Sequence, residues 1–415
     1  MLIILLLAYL FVASFGYWLQ ILNLRHLKQY GDVVPLEFSD YIDRDVLKKT
    51  RDYTVEHSRF SIIESIALDS IVILFFFFGG LFNTYNSWIV SLNQNSVVSG
   101  TLFFLFLTYA KTILSIPFDL YSDFRIENKY GFNTMTGRLW VSDFLKSIGL
   151  TTILLGTMTA SAFFIITMSP EHWWFIVWLF FLVFSLLIMY ISPYVIEPLF
   201  NKFTPLDDET LEGPIKELMK KAGIMVSRIF RIDASKRSRH TNAYFTGIGR
   251  VKRIILFDTL LEKLDREEIL SVLAHEAGHW KKRHILKHIV MVEALSFIGL
   301  YLSFRIIGTG FLNDLFALRH NTIFASLLIL GFIGGIVAFP FTPLMSYLSR
   351  KHEREADGFA AVITGNPGAM ATSLIKLSKD NLSNLHPHPL YAAFYYSHPP
   401  VVQRVREIHS MVTQE

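Results

Sequence analysis

Cysteine is absent from the 415 residues. That excludes a disulfide framework, a Cys-ligated zinc, an iron–sulfur cluster, a thiol nucleophile and lipidation through Cys. It says nothing of compartment. Charge is scarce as well. Asp, Glu, Lys and Arg supply 18% of the chain, against about 25% in ordinary soluble proteins. Internal repeats and low-complexity tracts are missing, and disorder, collagen and coiled coil do not fit the composition. The excess is apolar: 52% of the residues, 37 of them Phe. This is the composition of an integral membrane protein with a substantial polar part. The net charge of +4 is modest, and nothing in the chain points to nucleic acid.

Seven segments are apolar over roughly the 20 residues that a membrane helix needs. They run over about 1–24, 61–82, 100–118, 149–168, 173–193, 288–308 and 323–347. The first lacks a basic leader and its apolar run is long, so it reads as an uncleaved helix rather than a signal peptide. Basic residues sort the loops. Lys and Arg number seven in 25–60, four in 119–148, eighteen in 194–287 and seven in 348–415. Loops 83–99 and 169–172 have none, and 309–322 has only Arg319. The two classes alternate across all seven spans. The positive-inside rule then places the N-terminus outside and the polar segments and C-terminus in the cytosol.

Two parts follow: 1–193 with five spans, and 194–415 with the polar segments and two further spans. Neither polar piece, 194–287 or 348–415, is long enough to bury a core alone, so they are expected to fold together. Residues 225–231 and 251–257 read as strands, with Gly247 and Gly249 marking a turn before the second. From Asp265 the pattern becomes helical, with Glu268 placed to complete a capping box. No break is evident from there to the sixth span, which predicts one long helix running into the membrane.

That helix carries His275-Glu276-Ala-Gly-His279. Residues four apart lie one above the other on one helical face. Two imidazoles so placed can bind one zinc from one side, with Glu276 beside them to take a proton from water. A catalytic zinc needs a third protein ligand and an open position. Candidates lie in Arg350-Lys-His352-Glu353-Arg-Glu355-Ala-Asp357. Glu353 and Asp357 share a face, and Glu355 points roughly opposite. Spacing favours Glu353 as ligand with Asp357 supporting a His, and leaves His352 open. His284 and His288, farther along, read as residues of the membrane interface.

The H-E-x-x-H motif, the second acidic segment and the seven spans together resemble the type I CAAX prenyl proteases, integral membrane zinc metallopeptidases. Similar segments include Glu127-Asn-Lys-Tyr-Gly-Phe-Asn133, Glu197-Pro-Leu-Phe-Asn-Lys-Phe-Thr-Pro205, Asn242-Ala-Tyr-Phe, Arg253-Ile-Ile-Leu-Phe-Asp-Thr-Leu-Leu261 and Ser397-His398-Pro-Pro-Val-Val-Gln-Arg404. The resemblance implies a mainly α membrane protein, with seven transmembrane helices around a water-filled chamber and a cytosolic α+β zincin-like protease domain. It implies one Zn²⁺ per chain on His275, His279 and Glu353, with Asp357 behind them. Glu276 would be the general base, and His398 and Arg404 would stabilise an oxyanion. Asn242, Ala243 and Tyr244 would lie on an edge strand that pairs with an extended peptide.

The expected substrate is a peptide or protein prenylated at a C-terminal CAAX Cys, losing its last three residues. A broader membrane-protein quality-control protease is the alternative, and a transporter with a vestigial metal motif the more distant one. The chain is expected to act as a monomer among membrane lipids, in the cytoplasmic membrane of a bacterium or the ER membrane of a eukaryote. Asp69, Lys111, Glu293 and Arg305 fall within spans. Facing lipid, such charges cost about 2.5–3.5 kcal/mol each for Asp, Lys or Arg. A wet interior removes that cost; pairing of Lys111 with Asp69 or Glu293 in a dry bundle is the other solution.

Overall fold

The computed structural model describes residues 1–246 and 251–412. The turn expected at Gly247 and Gly249 lies outside them. Seven stretches are long and apolar enough to cross a membrane, and all seven coincide with those expected. The first five contain helices α1 (Leu2–Tyr30), α2 (Arg44–Phe77), α3 (Ser96–Tyr121), α4 (Gly137–Met168) and α5 (Trp173–Ile191).

Several helices extend well beyond their apolar runs. Helix α2 starts at Arg44, where Asp43 accepts a hydrogen bond from the Val46 N–H and so caps it. Its end differs from the expected residue 82. Gly79 and Gly80 take φ of +67° and +63°, a region that side chains with a Cβ avoid. The chain turns there, and a separate helix, Leu81–Ser91, follows.

Helices α3 and α5 both end in a turn of π-helix, Ser122–Glu127 and Ser192–Ile196. The segments Glu127–Asn133 and Glu197–Pro205 emerge from these turns. Each meets the polar part. The Glu127 carboxylate accepts the Tyr53 hydroxyl at 2.7 Å and lies 3.3 Å from His240 Nε2. Glu197 accepts the Tyr244 hydroxyl at 2.7 Å. Arg237 reaches back to Asp143 of α4 through two hydrogen bonds, 2.7 and 3.1 Å.

The polar part opens with strand β1 (Phe203–Pro205), helix α6 (Glu209–Ala222) and strand β2 (Met225–Ile232), and continues with β3 (Ala243–Thr246) and β4 (Val251–Phe257). Their order is β1-β2-β4-β3, with β2 and β4 parallel and the outer pairs antiparallel. Strand β3 is therefore an edge. One face of the sheet, with Ile229, Ile254 and Leu256, packs on Ile215 and Met219 of α6 and on Leu273, Ala274 and Ala277 of helix α7 (Arg266–Lys281). The capping box of Asp265 and Glu268 is formed.

The expected continuous helix is broken. Helix α7 stops at Lys281, Arg283 adopts φ of +56°, and α8 (His284–Gly308) starts anew. The last span holds α9 (Ile323–Ala338), a tight turn at Phe339–Phe341, and α10 (Thr342–Thr364). Helices α11 (Pro367–Asp380) and α12 (Val401–Val412) finish the described chain. Phe38, Ile42 and Leu47 of the first polar loop pack with Met370, Ile375, Val405 and Ile408, so the beginning and end of the chain share one core.

Candidate metal centre

Helices α7 and α10 cross at Gly278. A Cβ added there would stand 2.9 Å from the Ala356 Cα and 3.1 Å from its carbonyl oxygen. Only the missing side chain allows this approach. It brings His275 and His279 of α7 against Glu353 of α10. One donor atom from each lies within 4.8 Å of the others. The two Nε2 atoms are 3.1 Å apart, with His279 Nε2 3.3 Å from Glu353 Oε1 and His275 Nε2 3.4 Å from Glu353 Oε2. Atoms bound to one tetrahedral zinc at about 2.1 Å stand about 3.4 Å from one another. The two Nε2 atoms and the Glu353 oxygen nearer each of them stand at about that spacing. Glu353 is buried, and its two oxygens face the His275 and His279 Nε2 atoms. Two imidazole nitrogens turned on one buried carboxylate are a donor set that suits a divalent cation among them.

Asp357, one turn after Glu353, accepts from His275 Nδ1 at 2.7 Å. Arg404 donates to both Asp357 oxygens, at 2.9 and 2.6 Å. The guanidinium is buried and also stands 3.6 Å from Glu353 Oε2. Burial disfavours a charged His275, but the carboxylates of Asp357 and Glu353 outweigh it and lift the imidazole to about 9. A cation entering the site therefore displaces a proton. Burial pushes the Glu276 carboxyl up, which suits a group that must both take and release a proton.

Spacing favours Glu353 as the third donor and leaves His352 open, with Glu355 pointing roughly opposite. The structure brings only Glu353 to the two Nε2 atoms. Glu355 Oε2 is 3.1 Å from His284 Nε2, and His284 Nδ1 is 3.1 Å from His279 Nδ1. His352 stacks on the His284 ring at 4.0 Å. His284 is thus no interfacial residue: it is buried behind the centre. On an unbroken helix it would sit five residues from His279 and face elsewhere. The break at Arg283 turns it back. His288 is exposed.

His398 lies in the loop before α12, on the open side, with 60% of its side chain exposed. Its Nδ1 is 2.7 Å from Glu353 Oε2. Asn242 immediately precedes β3, and its carbonyl accepts the Phe257 N–H. Ala243 is buried in the sheet core, and the Tyr244 hydroxyl is committed to Glu197.

An H-E-x-x-H helix, an opposed carboxylate helix and seven potential spans define an integral-membrane zinc metalloprotease. Residues 23–202 match the CAAX prenyl protease N-terminal family, with five membrane helices, and residues 205–412 match peptidase family M48. CAAX prenyl protease 1 of Saccharomyces cerevisiae is 33% identical, over 95% of this chain and 92% of that one. The Homo sapiens homologue is 30% identical, over 91% and 89%. A crystal structure of Ste24p from S. mikatae superposes with a TM-score of 0.92 at 30% identity, covering 98% of each chain. The chain belongs to peptidase family M48, with the membrane domain of the CAAX prenyl proteases. It is a multi-pass membrane protein and a zinc-dependent protease acting on peptides or proteins.

Proposed function

We propose that the chain is an endopeptidase that removes the C-terminal tripeptide of prenylated CAAX substrates, using a zinc held by His275, His279 and Glu353. The convergence of these three donors from two helices, with Glu276 beside them, carries the reading. Zinc, when bound, supplies a Lewis acid that acidifies water and polarises a peptide carbonyl. Glu276 takes the proton of the attacking water and returns it to the leaving amine. His398 faces the open side and donates to the developing oxyanion from Nε2. Arg404 holds Asp357, which holds His275 in the tautomer that presents Nε2. Its positive charge also lies behind the oxyanion.

The substrate backbone adds to the β3 edge at Asn242, Ala243 and Tyr244. Edge position supports this, since β3 has a sheet partner on one side only. The prenyl substrate class is supported by the names of the relatives at 30–33% identity. Hydrolysis of a farnesylated CAAX peptide and of its unlipidated twin tests it. Equal rates on both favour the broader quality-control protease.

The spans, in this reading, enclose water. Asp69 accepts hydrogen bonds from Tyr9 and Tyr17. Among the described residues Lys111 forms no ion pair with Asp69 or Glu293, the alternative for a dry bundle. A Phe-rich cluster of Phe82, Phe103, Phe163, Phe316 and Phe324 supplies a closed end.

The division into 1–193 and 194–415 and the cytosolic side of the centre are part of the same proposal, resting on the sorted basic residues. Cys placed at Gln94 should react with an impermeant thiol reagent from outside, and Cys at Ser410 should not. The reverse pattern puts the centre on the other side. Elution of the purified chain as a single copy checks the monomer.

A further inference from the structure

A cavity of about 590 Å³ lies on the face of the sheet turned away from α7. Its walls come from three places. Leu139 and Lys146 belong to the first turns of α4, before that helix becomes apolar. Tyr194, Leu199 and Phe200 follow directly on the apolar run of α5. Phe230 and Arg253 come from β2 and β4. The ends of two antiparallel spans thus fix the cavity at the membrane boundary, under the sheet.

The charges there are unbalanced. Asp143 neutralises Arg237 and lies 3.5 Å from Lys146. Asp233 is the one carboxylate among the lining residues, and its Oδ1 accepts the Lys202 N–H. The side chains of Arg253, Lys202 and Lys236 have no carboxylate partner among the described residues. Arg253 is nonetheless fixed. Its guanidinium carbon lies 4.3 Å from the Tyr194 ring centre and 5.1 Å from that of Phe230. Aromatic faces hold a cation without cancelling its charge. Tyr194 and Leu199 beside it remain about half exposed.

We propose that this cavity binds the phosphate-bearing headgroup of an anionic phospholipid, with Arg253 and Lys236 on the phosphate, Lys202 at the rim and the acyl chains along α5. A basic pocket at the ends of membrane helices has the chemistry for such a headgroup. A soluble anion would have no use for the exposed apolar wall that leads from Arg253 down to α5. A peptide strand has its place at the free edge of β3, beside β4. The proposal is independent of the hydrolytic chemistry.

Short-chain phosphatidylglycerol, titrated into the purified full-length protein in neutral detergent, should raise its thermal midpoint saturably. Phosphatidylcholine of the same chain length and inorganic phosphate should not. Arg253→Gln and Lys236→Gln should each weaken the apparent affinity about fivefold, and Lys48→Gln, exposed near the start of α2 and outside this cavity, should leave it unchanged. Should Arg253→Gln fail to fold, the exposed Lys236 carries the comparison. Absence of a saturable shift, equal affinity in Lys236→Gln, or an equal response to inorganic phosphate would overturn the assignment, the last by making the cavity a site for free anions.

Discussion

His284 Nδ1 stands 3.1 Å from His279 Nδ1, although a break in the chain separates their helices. His279 presents Nε2 to the other two donors, so its proton sits on Nδ1. His284 accepts it and passes its own Nε2–H to Glu355 at 3.1 Å. His275 has its counterpart in Asp357 at 2.7 Å. Each imidazole of the centre thus ends on a carboxylate of α10, one directly and one through His284.

His284→Leu should therefore weaken zinc binding about 10–100-fold, the usual effect of removing an outer partner. Glu355→Gln should cost less, because Gln still accepts a hydrogen bond. Chelator competition measures both, with thermal midpoints at saturating zinc near wild type. Metal analysis of Glu353→Ala and Glu355→Ala decides between the carboxylates. Zinc lost from the second and kept by the first would remove Glu353 from the centre.

Gly278→Ala tests the helix crossing. The added Cβ meets the backbone of Ala356 at 2.9 Å, and overpacking of this kind costs about 1–3 kcal/mol. Parting α7 from α10 also separates the His pair from Glu353, so zinc affinity should fall with stability. Gly358→Ala, on the same α10 but with open space at its Cβ, should be neutral or slightly stabilising. Thermal unfolding of the two variants, with and without added zinc, gives the comparison.

Much of this was legible in the sequence. The seven spans announced themselves because lipid demands long uncharged runs, and His275, Glu276 and His279 because a helix fixes their spacing. Glu353 could be preferred over Glu355 because it shares a face with Asp357. His284 could not be read. Its place depends on the left-handed Arg283, and that position carries neither Gly nor Asn as a local signal of a break. The end of α2 was missed for the opposite reason. The apolar run continues past Gly79-Gly80 while the backbone does not. The clamp between Glu127 and His240 joins residues 113 apart in sequence, which no periodicity encodes.

That clamp carries a pH dependence. Glu127, followed by burial acting the other way, holds His240 above its usual pKa. The raised value means that the folded state binds the proton more tightly than the unfolded chain. The stabilisation is fully present below about pH 6.5, the ordinary His value, and is lost as pH rises through the folded-state pKa. His240→Gln should therefore lower the thermal midpoint most near pH 6, with the gap to wild type closing above neutrality. A gap that stays constant or widens with rising pH contradicts an ionised pair.

The central claim is that Glu276 moves the proton at a zinc centre built by His275, His279 and Glu353. Peptide hydrolysis by zinc-loaded Glu276→Gln measures it most directly, because Gln keeps the shape and cannot act as a base. The account predicts one zinc retained per chain and a rate reduced about 10²–10⁴-fold. A rate within about tenfold of wild type at full zinc occupancy would contradict it.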